Sequence, residues 1–364
     1  MFERRLFAQL DWGIILVTFL LAATGVTMIY SATYSNSGGL EGLYIRQLYW
    51  LGIGLIGVTI LLFTDYRLVH RHAYLLYGVA VVLLILVPLW GRSIGGSQRW
   101  LVFGPVRVQP SELAKLAVII ALARYFSTDE KRGLLRLRDL AIPAAIILVP
   151  AALVAKEPDL GTALVIILIG LTVVATVGLR FGTSIILAMG ALAATSVGWF
   201  FLKGYQKERI LTVIHGGDPL GAGYHSLQAK IAIGSGGLLG KGLLAGTQSQ
   251  LHFLPAQHTD FILAVLAEEV GFVGSMWVLG LFSILIVQGL AVAYRSRDFF
   301  GSILAAGVVG YLCLHVVLNV AMTTGMLPVV GLPLPLMSYG GSSIVVTLLG
   351  IGLLLNVRMR RFSF

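Results

Sequence analysis

A succession of long apolar runs constrains this chain more than any other feature. Most span about 16 to 22 residues, and a bilayer-spanning helix needs about 20. The runs fall near residues 12–31, 45–63, 72–90, 111–126, 140–155, 160–178, 183–202, 260–293, 300–322 and 342–357. Of the 364 residues, 57% are hydrophobic and only 12% are charged, too few charges to cover a soluble protein of this length. The sequence predicts a single-domain (1–364), all-α polytopic membrane protein with about ten transmembrane helices.

Two of these segments need separate interpretation. The N-terminal run is too long for a signal peptide and has no clear cleavage site, so we expect it to be retained as the first helix. The run 260–293 exceeds one crossing and contains Gly271 and Gly274, so we expect a kink or a half-helix there. The single cysteine, Cys313, lies in an apolar run and excludes a disulfide framework and a cysteine metal site.

The distribution of basic residues predicts the orientation in the membrane. Ten crossings place both termini on one side, and most basic residues outside the apolar runs fall on that side. They are Arg4, Arg5, Arg67, Arg71, Lys131, Arg132, Arg136, Arg138, Arg180, Arg295, Arg297, Arg358, Arg360 and Arg361. Cytoplasmic loops are rich in such residues, so we expect cytoplasmic termini. The same bias explains the net charge of +10, so we expect no nucleic-acid partner.

The opposite face also carries basic residues, against the usual bias. They are Arg92, Arg99 and Arg107 in one connection, and Lys203, Lys207, Arg209, Lys230 and Lys241 in the long extracytoplasmic loop 203–259 between helices seven and eight. Two interpretations stay open: solvated loops, or a site for an anionic ligand such as a phosphate. The glycine-rich segment 234–246 is not a phosphate loop, because Ser235 and Gly242 occupy positions where that motif requires glycine and Ser or Thr. We interpret it as an irregular turn.

Charged residues at the ends of apolar runs are candidate functional groups, because an ionisable group in a bilayer is costly. Glu112 and Lys115 are three residues apart at the start of the fourth helix, so they share a face and can pair. This pair suits a structural role as well as a chemical one. Glu157 and Asp159 lie in a very short connection, which we interpret as an exposed turn.

The segment LPAQHTDFILAVLAEE (254–269) places Asp260 where a polar loop meets an apolar run. Thr259 could cap a helix beginning at residue 260 or 261, and Asp260 would then lie in its first turn, where the helix dipole favours a carboxylate. Glu268 would lie roughly 12 Å further along. Glu268 and Glu269 would point about 80° and 180° away from Asp260, so these carboxylates do not form an acid–base pair. A neutral His258 could be a partner.

Two classes of function remain on these grounds. One is an ion-coupled transporter, in which buried carboxylates relay protons. The other is an enzyme that acts on a lipid-linked anionic substrate at the outer membrane surface. The long outer loop, the outer arginines and a carboxylate at the boundary favour the enzyme, since a transporter would place its carboxylates near the midplane.

Five sequence blocks, in order, resemble the SEDS family (shape, elongation, division and sporulation) of bacterial peptidoglycan polymerases. They are VQPSELAKLA (108–117), KEPDLGTALV (156–165), GAGYHSLQAKIAIGSGGLLGKG (221–242), FLPAQHTDFILAVLAEEVGFVGS (253–275) and LPVVGLPLPLMSYGGSS (327–343). The segment GLPLPLMSYGG is similar to the elongation branch of the family, since the division branch usually has threonine where Pro333 stands.

The resemblance implies a glycosyltransferase of the bacterial cytoplasmic membrane that polymerises lipid II into glycan strands. It implies Asp260 as the essential acidic residue and Glu112 with Lys115 as a functionally sensitive pair. It also implies a class B penicillin-binding protein, a transpeptidase, as activating partner, alongside polyprenyl-linked glycan and other elongation-machinery proteins. Arg92, Arg99, Arg107, Lys115, Arg209, Lys230 and Lys241 are then candidates to contact the pyrophosphate. A divalent metal between Asp260 and the pyrophosphate is compatible with this chemistry, although no motif requires one. A lipid II flippase, a division polymerase and a non-catalytic scaffold are the alternatives.

Overall fold

The computed structural model describes residues 9–34, 42–94, 97–104, 106–128, 133–215, 223–251 and 253–361. Within these ranges the chain forms ten helices of 16 residues or more, three shorter helices and a small sheet. Arg4, Arg5, Lys131 and Arg132, which the orientation argument used, lie outside the described residues.

The thirteen helices are α1 (Trp12–Thr33), α2 (Leu43–Phe63), α3 (Tyr66–Trp90), α4 (Pro110–Thr128), α5 (Ala141–Lys156), α6 (Leu160–Val177), α7 (Phe181–Phe201), α8 (Gly204–His215), α9 (Tyr224–Gly236), α10 (Thr247–Gln250), α11 (Ile262–Tyr294), α12 (Phe299–Thr323) and α13 (Gly341–Met359). Three antiparallel strands connect α3 to α4 in the order β1 (Arg92–Ile94), β2 (Ser97–Phe103) and β3 (Val106–Val108).

The expected ten long helices are confirmed. Nine of the described helices are long and apolar enough to cross a membrane by composition, counting the 3-10 turn Leu137–Leu140 with α5. The tenth, α4, is excluded by its charged residues Glu112, Lys115 and Arg124. Because two of these charges are buried against other helices, α4 fits the membrane interior as part of the bundle.

Helix α4 lies at the centre of the bundle with α12 and α13, and α7 lies at its edge. Residue 307 of α12 packs so closely that a Cβ there would lie 2.5 Å from Ile119 of α4 and 3.0 Å from Val173 of α6, so only glycine fits. By contrast, Thr183 is the one buried residue among those of α7.

The expected kink in the eighth long helix is confirmed at Gly271, whose φ is 75° and ψ is −166°. The kink frees backbone groups of α11, and the glycine-rich segment 237–242 pairs with them. The bonds run from Phe272 N to Gly237 O (2.9 Å), Val273 N to Leu238 O (3.1 Å), Lys241 N to Glu268 O (3.0 Å) and Gly242 N to Glu269 O (2.9 Å). The kink therefore costs little, since its polar groups remain satisfied.

The connection 203–259 differs from the loop expected from sequence, because its described part contains helices α8, α9 and α10. Ala229 and Ala232 of α9 are fully buried, and α9 packs along α11. These helices are short and mixed in polarity, so they lack the long apolar run by which the transmembrane helices are found in the sequence.

Ion pairs between helix ends show which parts of the chain lie on the same face of the membrane. Arg358 pairs with Asp11 and Arg360 with Asp65, each at 3.5 Å, near the two described ends of the chain. At the opposite ends of the helices, Lys241 pairs with Glu268 at 2.8 Å. Both described ends of the chain therefore lie on one side of the bundle, as an even number of crossings requires.

Candidate active site

Asp260 lies in a turn that precedes α11. The amides of Thr259, Asp260 and Phe261 all point at the carbonyl of Ala256, at 3.1, 3.1 and 3.4 Å, and Ala256 has a left-handed φ of 50°. The helix begins only at Ile262, and its N-cap residue, Phe261, makes no side-chain capping bond. The expectation that Thr259 caps a helix with Asp260 in its first turn is therefore wrong. The Thr259 hydroxyl instead donates to the carbonyl of Ala256 (3.2 Å).

Three donors from the C-terminal part of the chain hold three consecutive carbonyls of this turn. The bonds are Tyr339 N to His258 O (2.8 Å), Ser338 Oγ to Thr259 O (2.5 Å) and Asn319 Nδ2 to Asp260 O (3.0 Å). We call these three donors the carbonyl clamp. Asn319 also donates to Leu332 O at 2.7 Å, so one amide group fixes the Asp260 turn and the 331–334 segment together. All three bonds use backbone oxygens, so the clamp does not engage the Asp260 carboxylate.

The carboxyl group of Asp260 is poised to exchange a proton near neutral pH. Burial raises its pKa to about 6, with Asp159 adding to the increase, while Arg209 and Arg99 act in the opposite direction. Gly331, in the left-handed region with a φ of 73°, runs beside it, and a Cβ there would lie 3.5 Å from Asp260 Oδ2. A carboxylate with a pKa of about 6 is ionised at pH 7 and is a stronger base than an ordinary aspartate.

Arg99 on β2 joins the small sheet to the α5–α6 connection. Its guanidinium lies 3.4 Å from Asp159 and donates to the carbonyls of Glu157 (3.4 Å) and Pro158 (2.6 Å). Asp159 also caps α6 by accepting from Thr162 N at 3.1 Å. Glu157 and Asp159 are only 5% and 4% exposed, so the prediction that they lie in an exposed turn is wrong. The strand lies over the connection and buries it.

Glu157 has a different environment from its neighbour. Both carboxyl oxygens are buried without a hydrogen-bond partner among the described residues. Burial raises the pKa of Glu157 to about 8, with Asp159 contributing and Arg99 opposing, so this side chain is largely neutral at pH 7. It lines a cavity of about 100 Å³ together with Gln98, Lys156 and apolar residues of α3 and α5. Glu157 therefore adds little negative charge to the Asp260 surroundings.

The predicted phosphate-binding residues divide by position. Arg99 and Arg209 influence the Asp260 carboxyl directly, and Arg209, on α8, also donates to Val329 O at 3.1 Å. Lys241 is held on Glu268 and on the hydroxyls of Ser235 and Thr247. Arg92 on β1, Arg107 on β3 and Lys230 on α9 are exposed, as Arg209 is, and the Lys230 side chain lies against Gly325. Lys115 is buried in α4. Their electrostatic effect on Asp260 favours Arg99 and Arg209 as contacts for an anionic ligand there.

Glu112 and Lys115 form the pair that their spacing predicts. Lys115 Nζ lies 2.7 Å from Glu112 Oε1, and both side chains are buried. Lys115 Nζ also lies 3.1 Å from His315 Nε2 and 5.6 Å from the ring centroid of Tyr311. His315 Nδ1 faces Pro333 O at 3.4 Å, which connects the pair to the segment that Asn319 holds.

His315 and Asn319 were not among the candidates from sequence. Tyr311, His315 and Asn319 recur every four residues in the otherwise apolar α12, so they share one face. All three are buried, with 2%, 0% and 0% of their surface exposed. The sequence signal that could have identified them is a row of polar residues on one face of a membrane helix. Such residues face the bundle interior and find partners there.

The other sequence-predicted residues near Asp260 take separate places. The His258 ring packs edge-on against Tyr339, 5.9 Å between centroids, and burial lowers its pKa, which favours the neutral imidazole. Glu268 accepts from Lys241 and from the amides of Gln248 and Ser249. Across the described residues, no group of three or more His, Cys, Asp or Glu side chains could hold a metal ion. A divalent metal at Asp260 would therefore need substrate oxygens among its ligands.

Comparison with known proteins identifies the family to which this chain is related. The model of the cell cycle protein family FtsW/RodA/SpoVE matches residues 11–362. Over 355 residues the chain is 41% identical to peptidoglycan glycosyltransferase MrdB of Escherichia coli (strain K12), covering 97% of this chain and 94% of that protein.

Solved structures agree with this relationship. One, from work on the structural coordination of polymerization and crosslinking by a peptidoglycan synthase complex, has a TM-score of 0.83 at 35% identity and covers 98% of this chain and 99% of that one. The rod shape determining protein RodA of Thermus thermophilus has a TM-score of 0.73 at 34% identity and covers 98% of each chain. The chain is a multi-pass membrane protein that belongs to the FtsW/RodA/SpoVE family of cell cycle proteins, which is the SEDS family.

Proposed function

We propose that this protein is a peptidoglycan glycosyltransferase of the elongation type, which joins lipid II units into glycan strands with Asp260 as the general base. One observation carries the assignment of the base: a carboxyl group with a pKa of about 6, on which Arg99 and Arg209 act electrostatically, on a turn fixed by the carbonyl clamp. Relatives with the name peptidoglycan glycosyltransferase support the reaction class.

In this mechanism the 4-hydroxyl of the acceptor sugar attacks the anomeric carbon of the donor. The Asp260 carboxylate accepts the hydroxyl proton as the new carbon–oxygen bond forms. The bond from the anomeric carbon to the polyprenyl pyrophosphate breaks, and the electron pair leaves with the phosphate oxygen. A single displacement inverts the configuration at the anomeric carbon, so no covalent sugar–enzyme intermediate is needed.

The leaving pyrophosphate is already anionic and requires positive charge rather than a proton. Arg99 and Arg209 are the two cations that act electrostatically on the Asp260 carboxyl, and we assign them to stabilise the departing phosphate. The exposed cations Arg92, Arg107 and Lys230 can attract the anionic headgroup to this face. The apolar surfaces between helices suit the polyprenyl tail.

The comparison supports a partner that crosslinks the glycan. The solved relative belongs to a peptidoglycan synthase complex in which polymerization and crosslinking are coordinated. We extend this to the present chain as a class B penicillin-binding protein that activates it, with other proteins of the elongation machinery nearby.

The function is tested with purified protein, its partner transpeptidase and labelled lipid II, with the products resolved on a gel between pH 5 and pH 8. We expect glycan ladders and a rate that falls as the pH drops through about 6, because protonated Asp260 cannot accept the hydroxyl proton. An ordinary aspartate would keep its activity to about pH 4. Transport of lipid II across vesicles without glycan would instead indicate a flippase. Neither glycan nor transport would indicate a scaffold.

Orientation in the membrane is tested by cysteine labelling. Gly204 and Gly133 are both exposed and have open space for a side chain. In a Cys313→Ala background, we expect an impermeant thiol reagent added to intact cells to label the Gly204→Cys variant. The Gly133→Cys variant should react only after permeabilisation, because the basic-residue bias places its side in the cytoplasm. Labelling of both variants from outside would contradict the proposed orientation.

A further inference from the structure

A second cavity lies on the membrane face opposite Asp260, between residues 133–139, which precede α5, and the start of α7. It has a volume of about 510 Å³. Its lining residues are Gly133, Leu134, Leu135, Arg136, Asp139 and Arg180. None of these residues takes part in the proposed reaction. We refer to it as the Arg136–Arg180 cavity.

The walls of this cavity are fixed by backbone hydrogen bonds. Leu135 forms an isolated β-bridge with Leu179, in which Leu135 N donates to Gly178 O (3.0 Å) and Arg180 N donates to Leu135 O (3.1 Å). The Thr183 hydroxyl donates to the same carbonyl of Leu135 at 3.2 Å. The connection before α5 is thereby attached to the α6–α7 connection. Binding of a ligand would therefore cost little conformational entropy, because these walls are already ordered.

The charge of the cavity favours an anion. Arg136 and Arg180 are exposed, and the Arg180 side chain makes no capping bond to α7. Asp139 is the opposing charge in the lining, and its carboxylate accepts from Arg136 N at 2.9 Å. Two arginines against one engaged carboxylate leave a net positive site. Planar guanidinium groups bind phosphate through paired hydrogen bonds.

Exposed apolar side chains lie next to the cavity-lining residues along the chain. Leu134 and Leu137 are 61% and 48% exposed, and Phe181 at the start of α7 is 82% exposed. Ile142 of α5 and Ile185 of α7 continue this exposed apolar surface one turn into the bilayer. A soluble anion would gain nothing from these residues, whereas acyl chains would cover them. The site therefore has the polarity of an amphiphile, with a charged end and an apolar end.

We propose that the Arg136–Arg180 cavity binds the phosphate headgroup of an anionic phospholipid whose acyl chains lie along α5 and α7. Basic pockets between transmembrane helices bind anionic headgroups in this way. The proposal holds for either orientation of the protein in the membrane, because the site requires only a neighbouring lipid leaflet. The bound lipid would hold the exposed helix α7 beside α5 through contacts that the protein itself does not supply.

The test compares lipid retention by native mass spectrometry. Detergent-purified protein is mixed with phosphatidylglycerol or with zwitterionic phosphatidylcholine. We expect preferential retention of phosphatidylglycerol, and binding that is weaker by about tenfold or more in the Arg136→Gln/Arg180→Gln variant. Arg138→Gln is the control for each single arginine change, since it removes one positive charge from the 3-10 turn that follows Arg136 but lies outside the cavity lining. It should bind as the parent does.

Three outcomes would overturn the proposal. If Arg138→Gln weakened lipid binding as much as a cavity arginine change does, the effect would come from general surface charge. Equal retention of the two lipids would remove the phosphoglycerol selectivity. Displacement of the lipid by millimolar inorganic phosphate would identify a free-phosphate site instead. If the double variant does not fold, Arg180→Gln alone serves, because that side chain caps nothing. It should lose part of the preference and, in detergent without added lipid, keep the parent unfolding temperature.

Discussion

An Asp260→Asn variant should make essentially no glycan from lipid II while it folds, inserts and binds its partner as the parent does. Asparagine has nearly the same size, and the carbonyl clamp holds the backbone oxygen of residue 260 rather than its side chain. The turn should therefore survive the change. The amide cannot accept the hydroxyl proton, so we expect a rate loss on the order of 10²- to 10⁴-fold, the usual contribution of a positioned general base. Polymerisation is measured on gels with labelled lipid II.

The control for this variant is Asp65→Asn. Asp65 is a true N-cap, whose side chain accepts from Arg67 N at 2.9 Å, and it lies on the opposite membrane face. Asparagine caps helices about as well as aspartate, so this variant should remain active. Asp260→Glu should retain a trace of activity, because the base is kept but displaced by one methylene. A near-parental rate in Asp260→Asn would mean that the carboxylate is not the base.

A Lys115→Met variant should lose both stability and polymerisation. Methionine fills the volume of Lys115 but leaves the buried carboxylate of Glu112 without its 2.7 Å partner. Removal of one partner of a buried ion pair typically costs about 3–5 kcal/mol. Activity should fall as well, because Lys115 contacts His315, and His315 faces the carbonyl of Pro333. Pro333 lies in the 331–334 segment that Asn319 ties to the Asp260 turn. Thermal unfolding and the gel assay measure the two effects.

A double variant separates these effects. Glu112→Gln with Lys115→Met removes both charges, so we expect the unfolding temperature to recover while glycan synthesis stays low. Arg124→Met is the control, because it removes a cation from the other end of α4, where the guanidinium faces Tyr74 and the carbonyl of His70. It should keep its activity. A fully active double variant would show that the pair serves folding alone.

The helices and their order could be predicted because each membrane crossing is a local property of about 20 residues. The Glu112–Lys115 pair was predictable for the same reason, since both residues lie on one helix turn. Gly271 and Gly274 signalled the kink, and the structure places it at Gly271. The family blocks located Asp260 and limited the reaction class.

The contacts that build the site are not local, and they could not be read from the sequence. Asn319 and Ser338 reach the Asp260 turn across 59 and 79 residues, respectively. The burial of Glu157 and Asp159 depends on Arg99 and strand β2 from another part of the chain. The capping prediction failed because Ala256 collects the three amides that a helix start would have used. Local propensity does not foresee such a turn.

The carbonyl clamp has a consequence for the biosynthesis of this enzyme. A ribosome releases the chain from its N-terminus, so Asp260 enters the membrane well before Asn319, Ser338 and Tyr339 have been translated. Until α12 and the segment after it are inserted, the turn lacks the three bonds that fix its carbonyls. Nascent chains that stall after α11 would carry the acidic residue without its support. We therefore expect the chain to become active only once the last two membrane helices have been inserted.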